Sequence, residues 1–512
     1  MIIDVNDLED GTELAADIII IGGGMAGITL ARELVQSSKK VMILESGGRE
    51  LDMEVQGLYA GKGTLAVGDG PGRDISDYVF KSRGRLYGGS GHWWGGKCVP
   101  LDEADMAPRP WLNQKGWPMT REQLQPYYDR ACDVLSIDRF NKDYTKPQHQ
   151  GRPPLDINGS VHITSLPRAH TLVTGRTETD HFTDFIHGFA DAPNMSVYLH
   201  ANVVDFQLSA DGTKVESLAI ATLKGNNYCA RAEIYVLACG GIENARLLLA
   251  ANVRNKARFG ARSGALGRYF QGHATLGVER DGNVSGTQVN FTNPQSSLSL
   301  YVDRDLDSPH AVLGTTMDGQ HHYKSPAFTV TIGIDDEPPY PAEQVLRMTA
   351  KRIAQANVAA KNDSECWCYF MTENLPNPDS RIKLSNEVDA LGVPQVVLDW
   401  KYSETDIDGY ERSLNAFVRE MGLSGIGRVC APIKREDMLE LLDPSRHHMG
   451  ATRMDADPSL GVVDTNLKSH DADNLYIAGS SVFPTSGIAN PTLTILALTL
   501  RLSDHLKLRM GI

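Results

Sequence analysis

The sequence has few of the features that mark an exported, disulfide-bonded or membrane-bound protein. Its seven cysteines are an odd number and include no Cys-x-x-Cys pair, which predicts free thiols in a reducing compartment and argues against a zinc ribbon. The N-terminus lacks the basic start and apolar stretch of a secretory signal. No apolar run approaches the roughly 20 residues of a membrane span. These absences predict a cytoplasmic protein with no membrane partner.

Positive charge is also scarce. The 50 Lys and Arg residues stand against 64 Asp and Glu, which gives a net charge of −14. Such a chain repels phosphates, and this argues against a nucleic-acid partner. At 512 residues the chain is longer than one hydrophobic core supports, so two domains are expected.

A nucleotide-binding pattern stands near the N-terminus. Residues 17–21 (DIIII) predict a fully buried parallel strand. Gly22, Gly24 and Gly27 then fit Gly-x-Gly-x-x-Gly, which permits a tight turn, a close approach of the backbone to a diphosphate, and close helix packing. The helix predicted over 25–36 would direct its N-terminal N–H groups at that diphosphate.

The motif is completed by an acidic residue and by a distant C-terminal segment. A second strand over 41–44 ends at Glu45, whose carboxylate can accept hydrogen bonds from a ribose diol. This pattern alone fits NAD as well as FAD. Residues 474–480 (NLYIAGS) predict another buried strand, and a helix over 490–506 begins with Asn490 as its N-cap and a proline after it. That helix start would stabilise a reduced, anionic flavin and so favours FAD.

Four segments of the chain resemble the glucose-methanol-choline (GMC) flavin oxidoreductases. Besides the nucleotide-binding pattern, they are residues 88–96 (GGSGHWWGG), residues 237–246 (LACGGIENAR), and residues 447–454 (HHMGATRM) together with 490–494 (NPTLT). The resemblance covers nearly the whole chain and is greatest to pyranose oxidases and bacterial FAD-dependent glycoside 3-oxidases. It implies an α/β fold (α+β overall), with a Rossmann-like FAD-binding domain and a sheet-based substrate domain.

The resemblance also implies that both domains are discontinuous. The FAD-binding domain would consist of residues 1–100, 196–275 and 441–512. The substrate-binding domain would consist of residues 101–195 and 276–440.

Local patterns predict several elements of the substrate-binding part. A capping box at Thr120 predicts a helix to about Leu135. Strands are predicted over 381–384 and 396–400, and a long amphipathic helix is predicted from residues 402–406 to near 421. Residues 287–318 are rich in Ser, Asn, Asp and Gly, which predicts a loop at the pocket mouth, either a mobile lid or a surface excursion.

The resemblance places a catalytic pair in the C-terminal motif. Oxidation of an alcohol removes a hydride from carbon and a proton from oxygen, and histidine can take that proton near neutral pH. His447 stands three residues before Gly450, where the family places its base. Asn490 would hold the same oxygen through its side chain. The adjacent His448 is expected to point elsewhere and to serve packing.

FAD contacts are predicted along the whole chain. They are Gly22, Gly24, Met25, Ala26, Gly27, Glu45, Ser46, Gly89, Ser90, His92, Trp93, Trp94, Gly95, Val203, Cys239, Gly240, Gly479, Ser480, Asn490, Pro491 and Thr492. Several relatives tether FAD through a histidine of the glycine-rich loop, at a position held here by Trp93. This predicts non-covalent FAD, although a one-residue slippage would bring His92 to the tether. Trp93 and Trp94 would pack beside the flavin or fill the interface between domains.

The resemblance implies an FAD-dependent oxidoreductase acting on a small-molecule sugar or glycoside. A secondary hydroxyl of a pyranose ring, at C3 in preference to C2, would be oxidised to a ketone by hydride transfer to flavin N5. The electrons would pass to O₂ or another acceptor, and no metal is required. The alternatives are a GMC dehydrogenase of another alcohol or an aminosugar, a pyranose 2-oxidase, and a flavin-binding protein without turnover. His447 and Asn490 weigh against the last of these.

Overall fold

The isoleucine run at residues 18–21 forms a central strand of a six-stranded parallel sheet in the computed structural model of the protein. All four side chains are buried, as predicted for a strand covered on both faces. The strand order is β1-β10-β4-β3-β14-β26. These strands are β1 (Ile2–Asp4), β3 (Ile18–Ile21), β4 (Val41–Leu44), β10 (Met195–Leu199), β14 (Ile234–Leu237) and β26 (Leu475–Ile477).

The structure describes most of the chain. The described residues are 1–140, 160–175, 181–256, 258–276, 279–280, 283–284, 287–291, 311–333, 365–425, 427–431, 433–435, 438 and 441–512.

Three helices flank the parallel sheet and carry the motifs found in the sequence. They are α1 (Met25–Glu33), α7 (Gly240–Asn255) and α10 (Pro491–Met510). Helix α1 ends three residues before the predicted Gln36, because the Asn194 amide donates to the Leu34 carbonyl at 3.0 Å and to two carbonyls beyond it. Helix α10 extends past the predicted end to Met510, where Gly511 closes it in the left-handed conformation.

The remaining strands form antiparallel and mixed sheets. A four-stranded sheet has the order β11-β12-β13-β2, and a second has the order β22-β23-β5-β6. Their strands are β2 (Glu13–Ala15), β5 (Gly61–Val67), β6 (Arg73–Asp74), β11 (Asn202–Leu208), β12 (Val215–Ala221), β13 (Asn227–Arg231), β22 (Arg381–Val388) and β23 (Pro394–Tyr402). Both strands predicted over 381–384 and 396–400 are therefore confirmed.

An eight-stranded sheet forms the largest part of the region between the nucleotide-binding segments. Its path is β24-β18-β21-β20-β19-β8, and β15 joins β21 to β25. The strands are β8 (Ile163–Pro167), β15 (Ala274–Leu276), β18 (Thr287–Phe291), β19 (Ala311–Thr315), β20 (Phe328–Gly333), β21 (Glu365–Thr372), β24 (Gly427–Ala431) and β25 (Leu442–Pro444). Two short pairs complete the strands: β7 (Lys97–Cys98) with β9 (Ala169–His170), and β16 (Glu279–Arg280) with β17 (Asn283–Val284).

The prediction of a loop over residues 287–318 is wrong at both ends of that segment. Residues 287–291 and 311–315 are strands of the eight-stranded sheet, and helix α8 (Met317–Tyr323) follows them. The composition was misleading because the tendency to form a strand depends on the neighbouring strands as well as on the residues themselves. Residues 292–310 of this segment lie outside the described residues.

The capping box predicted at Thr120 and the two long helices predicted in the middle region are present. Helix α5 (Arg121–Val134) begins with Thr120 and Gln123 in a reciprocal capping box. Helix α9 (Glu404–Ser424) begins with the same motif formed by Ser403 and Asp406. The shorter helices are α2 (Met53–Gln56), α3 (Ser76–Lys81), α4 (Glu103–Met106) and α6 (His181–His187).

Buried hydrophobic side chains form two clusters. One surrounds the parallel sheet and helices α1, α5 and α10, and the other lies against the eight-stranded sheet, β23 and α9. Residues 61–67, from the first predicted FAD-binding segment, pair with β23 of the predicted substrate segment. The division into domains stays a prediction. Across the described ranges, no helix has both the length and the apolar character that a membrane crossing requires.

Candidate active site

A cavity of about 770 Å³ opens where the parallel strands β3, β4 and β14 end. Cofactor and ligand sites typically enclose about 300–1,000 Å³. Twenty of the predicted site residues line it: Gly22, Gly24, Met25, Ala26, Glu45, Ser46, Gly89, Ser90, Trp93, Trp94, Gly95, Val203, Cys239, Gly240, His447, Gly479, Ser480, Asn490, Pro491 and Thr492. Segments from both ends of the chain therefore meet around one space.

Two predicted residues lie outside the lining. Gly27 is packed beneath it, since a Cβ there would lie 2.0 Å from the Gly22 carbonyl oxygen. This is the close helix packing that the third glycine of the motif was expected to permit. His92 turns away, and its Nε2 lies 2.9 Å from the carbonyl oxygen of Tyr87.

The glycine turn after β3 has the geometry that a diphosphate needs. Gly22 adopts a φ of +106°, which side-chain-bearing residues rarely reach, and a Cβ there would collide with the Ala238 carbonyl. Gly24 is the N-cap of α1 and supplies no side chain to satisfy the first N–H groups of that helix. These N–H groups remain available to an anion in the cavity.

The Glu45 carboxylate faces the cavity and also accepts hydrogen bonds from nearby backbone N–H groups. Its Oε2 accepts a hydrogen bond of 2.8 Å from the Gly23 N–H, and its Oε1 accepts one of 2.7 Å from the Gly47 N–H. Burial raises the pKa of Glu45, although these bonds and Arg85 lower it in part. Each carboxylate oxygen retains acceptor capacity, so a ribose diol can still bind.

The glycine-rich loop at residues 88–96 forms one wall. Gly88 and Gly89 both have positive φ values, which turn the loop over the start of α1. The Trp94 indole N–H donates to the Val173 carbonyl at 2.9 Å. Trp93 packs on Gly84 and is 42% exposed. Both rings border the cavity, which fits the prediction that they lie beside the cofactor.

Buried cationic groups beside the cavity went undetected in the sequence. Arg83 and Arg85 share the buried carboxylate of Glu243, at 3.3 and 2.9 Å, and stack on the Tyr59 ring. Nε and Nη2 of Arg83 and Nε of Arg85 have no hydrogen-bond partner among the described residues. The sequence feature that could have revealed these cations is the pair of arginines, Arg83 and Arg85, just before the glycine-rich loop.

The groups around this cavity have the chemistry needed to bind FAD. Two helices, α1 and α10, begin at the cavity wall without a side-chain cap, and the guanidinium-bearing residues Arg83 and Arg85 line the same space. Both kinds of group bind phosphate oxygens and other developing negative charge. Glycines rather than larger residues line the phosphate end, so the backbone can approach closely.

His447 and Asn490 come together at the cavity wall, as predicted. Nδ2 of Asn490 lies 3.4 Å from Nε2 of His447. Asn490 occupies the predicted N-cap position of α10, but its side chain makes no capping hydrogen bond there. Its side chain is turned to His447, and its buried Oδ1 has no partner among the described residues. A hydroxyl group entering this corner would meet both side chains.

A second histidine, which the sequence did not single out, supports His447 from behind. Nδ1 of His273 lies 2.8 Å from Nδ1 of His447, and Nε2 of His273 lies 3.0 Å from the carbonyl oxygen of Gly487. His273 is completely buried. It precedes β15 in a segment with no recognisable motif, so no sequence signal pointed to it.

The electrostatic surroundings keep His447 neutral. Burial, followed by the proximity of His273, His448 and Arg168, lowers the pKa of His447 well below 6.5. Burial also lowers the pKa of His273 to about 4. A neutral imidazole has a lone pair on one nitrogen, so His447 is able to accept a proton.

His448 points away from the pair. Its Nε2 lies 2.9 Å from the Tyr78 hydroxyl, and its carbonyl oxygen accepts a bond from Ser480. Its backbone lies so close to α7 that a Cβ on Gly241 would be 2.3 Å from the His448 carbonyl oxygen. These contacts fix the segment that carries His447.

Comparison with known proteins gives a consistent result. Residues 376–499 match the family model of the GMC oxidoreductases, described as "GMC oxidoreductase". A 6'''-hydroxyparomomycin C oxidase of Streptomyces lividus is 26% identical over 97% of this chain and 92% of its own. A C-glycoside 3-oxidase of Microbacterium trichothecenolyticum is 24% identical over 61% of this chain and 54% of its own.

Among solved structures, a crystal structure of formate oxidase is similar along the whole chain. Its TM-score is 0.57 at 16% identity, and the match covers 98% of this chain and 100% of the other. At this identity the likeness concerns the fold, and it confirms the predicted mixed architecture of a Rossmann-like part and a sheet-based part.

Proposed function

Because the chain belongs to the GMC oxidoreductases and is an FAD-dependent enzyme acting on CH–OH groups, we propose that it oxidises a secondary hydroxyl of a pyranose sugar or glycoside to a ketone. The carbon we propose is C3. The two relatives with sugar-derived names support a sugar substrate, and the name of the C-glycoside 3-oxidase supports C3.

The observation that carries the proposal is the meeting of His447 and Asn490 in one corner of the cavity, with 3.4 Å between Nε2 and Nδ2. An alcohol needs an acceptor for its proton and a second polar group to orient its oxygen. This corner supplies both, because His447 and Asn490 line the cavity side by side.

The chain's own residues divide the reaction as follows. His447 accepts the hydroxyl proton as the O–H bond breaks, which is the role of a general base and contributes roughly 10²- to 10⁴-fold. Asn490 orients the oxygen, so that one carbinol C–H bond points into the cavity. FAD held by the glycine turn, Glu45 and the start of α10 would supply the acceptor for the hydride and its two electrons. The substrate leaves as a ketone.

We also propose how the cofactor is held and what takes its electrons. FAD is held without a covalent bond, because His92 uses its Nε2 on the Tyr87 carbonyl and lies outside the cavity lining. O₂ or another acceptor then takes the electrons.

A substrate with amino groups is the second candidate. One relative that matches 97% of this chain is a 6'''-hydroxyparomomycin C oxidase, and the net charge of −14 would attract a cationic aminosugar. The proposed base and its partner would be the same, and only the alcohol presented to them would differ.

The test of the catalytic pair is anaerobic reduction of the bound flavin, followed by its absorbance in a stopped-flow instrument. His447→Ala should keep FAD and slow reduction by at least ~10²-fold, as expected for a lost general base. His505→Ala is the matched control, because His505 is half-buried beside Tyr476 on the same helix as Pro491 but away from the cavity. A near-normal rate in His447→Ala would remove His447 from the base role.

The substrate is tested with the wild-type enzyme. Phenyl glucoside, free glucose and an aminoglycoside are compared for anaerobic flavin bleaching, and the product is identified by NMR. A 3-oxo glucoside supports the first proposal, while exclusive turnover of the aminoglycoside supports the second. A 2-oxo product, or rapid turnover of a simple primary alcohol with no glycoside turned over, would overturn the C3 assignment.

A further inference from the structure

The two ring nitrogens of His273 have different partners, and this fixes where its proton lies. Nε2 is 3.0 Å from the Gly487 carbonyl oxygen, which can only accept a hydrogen bond, so Nε2 carries the hydrogen. The other nitrogen, Nδ1, faces Nδ1 of His447 at 2.8 Å. A neutral His273 therefore presents a lone pair to His447.

His273 is held neutral by its surroundings. It is completely buried, and burial is the main cause that lowers its pKa to about 4. The charged groups nearest to it oppose each other, since Glu373 raises this pKa and Arg168 lowers it. The Glu373 carboxylate is already paired with Arg109, so it provides no close counter-ion for an imidazolium.

The Gly487 carbonyl is a rigid reference point. Gly487 has a φ of +53°, and a Cβ there would lie 2.5 Å from Leu101. The neighbouring N–H groups are also fixed, since Ser486 donates to Gln271 at 2.9 Å and Ile488 donates to Asp105 at 3.2 Å. The carbonyl cannot turn away from His273 without breaking these contacts.

Only one proton fits between two nitrogens 2.8 Å apart. Since Nδ1 of His273 lacks a hydrogen, Nδ1 of His447 must donate. His447 is itself neutral, so its Nε2 then carries no hydrogen. That nitrogen is the one beside Asn490.

We propose that His273 is a positioning residue that fixes His447 in the tautomer with a bare Nε2, the form able to accept the proton of a bound hydroxyl. The inference rests on the proposed role of His447 as base. The opposite tautomer would donate from Nε2 and could not take the substrate's proton. After transfer, the Nδ1–H bond to His273 remains in place and stabilises the imidazolium that has formed.

The tautomer can be read without turnover. Holoenzyme labelled with ¹⁵N-histidine and loaded with FAD, but without substrate, is examined by ¹⁵N NMR, and the His447 signals are assigned by their loss in His447→Ala. We expect a protonated Nδ1 and an unprotonated Nε2. A protonated Nε2 on His447 in the wild-type protein would overturn the proposal.

Two variants of His273 test whether this residue controls the tautomer of His447. His273→Phe keeps the ring but removes the acceptor, so the Nε2-protonated form of His447 should become populated and flavin reduction should slow by ~10²-fold. His273→Asn places an amide oxygen near the position of Nδ1 and should recover most of the lost rate. His505→Phe is the control for exchanging a histidine for phenylalanine, and FAD absorbance reports whether each variant holds the cofactor.

The outcomes separate this proposal from the proposed function. An unchanged tautomer and rate in His273→Phe would refute the positioning role even if His447→Ala is inactive. A normal rate in His447→Ala would refute the base role, whatever tautomer is found. If His273→Phe does not fold, the wild-type spectrum and the His273→Asn rate still decide.

Discussion

The side-chain amide of Asn490 lies 3.4 Å from the His447 ring and makes no bond to the helix that it begins. Asparagine at an N-cap usually accepts a hydrogen bond from the first turn, and such a cap stabilises a helix by about 1 kcal/mol. Helix α10 does without this bond. The side chain is therefore placed for a ligand at the expense of stability, as is common at functional sites.

We predict that Asn490→Ser separates activity from stability. Serine is too short to reach the hydroxyl held by His447, but it can cap α10, so anaerobic flavin reduction should slow by roughly 10- to 100-fold. The thermal midpoint of the apoprotein should stay the same or rise. Differential scanning calorimetry and stopped-flow absorbance measure the two effects.

Ser403→Ala is the counterpart at a structural cap. Ser403 accepts from the Asp406 N–H and begins α9, so its loss should cost about 1 kcal/mol and leave flavin reduction unchanged. If Asn490→Ser lowers the midpoint as Ser403→Ala does and keeps its rate, the proposed division of roles at Asn490 is wrong.

A methyl group on helix α7 should disturb catalysis from outside the proposed pair. A Cβ on Gly241 would lie 2.3 Å from the His448 carbonyl oxygen, and backbone has to move to accept it. Because a misplacement near 1 Å can cost on the order of 10²-fold in rate, Gly241→Ala should slow flavin reduction at least ~10-fold.

Gly422→Ala provides the matched control, since Gly422 is also helical and has nothing within 4 Å of an added Cβ. It should raise the unfolding free energy by up to about 1 kcal/mol without changing the rate. Equal rates for the two variants would show that the His447 segment tolerates the shift.

We predict that acid precipitation releases the flavin into the supernatant. The only ring nitrogen of His92 with a hydrogen bond in the described structure is Nε2, at 2.9 Å from the Tyr87 carbonyl, and His92 does not line the cavity. A yellow pellet, or a flavin-bearing peptide that contains His92, would show that a covalent tether forms.

The rate of flavin reduction should be insensitive to pH around 6.5. Burial lowers the pKa of His447 well below that ordinary value, so the neutral base persists as the pH falls through 6.5 and is lost only at lower pH. The same shift lowers the stability of the fold as the pH falls below 6.5, because the unfolded chain takes up a proton there that the buried imidazole does not. The check is the stopped-flow rate of flavin reduction in the wild-type protein between pH ~5.5 and ~8. A rate that falls with a midpoint at or above pH 6.5 would contradict the prediction.

The sequence was informative wherever a local pattern determines the structure. The isoleucine strand, the glycine turn and the capping box at Thr120 each depend on neighbouring residues, and each is present. The C-terminal pair was found through its resemblance to a family motif. The pair lies beside the cavity because the N-terminal and C-terminal motifs meet there.

Contacts between distant segments were not predictable in the same way. His273 reaches His447 across 174 positions of sequence, and no periodicity or motif marks it. The error over residues 287–318 has a related cause, because β18 and β19 each pair with strands that are distant in sequence, and strand formation depends strongly on such partners. The N-cap position of Asn490 was predicted from its neighbours in sequence, whereas the contact of its side chain with His447 joins distant segments.

The order of strands in the parallel sheet has a consequence for synthesis. Strand β14 lies between β3, at residues 18–21, and β26, at residues 475–477. At about 5–20 residues per second, the ribosome takes tens of seconds to pass from β14, at residues 234–237, to β26. During that interval β14 has an open edge and the crevice for FAD lacks its far wall. A nascent chain therefore cannot retain its cofactor until β26 has been made, and we expect chaperones to bind this exposed edge in the meantime.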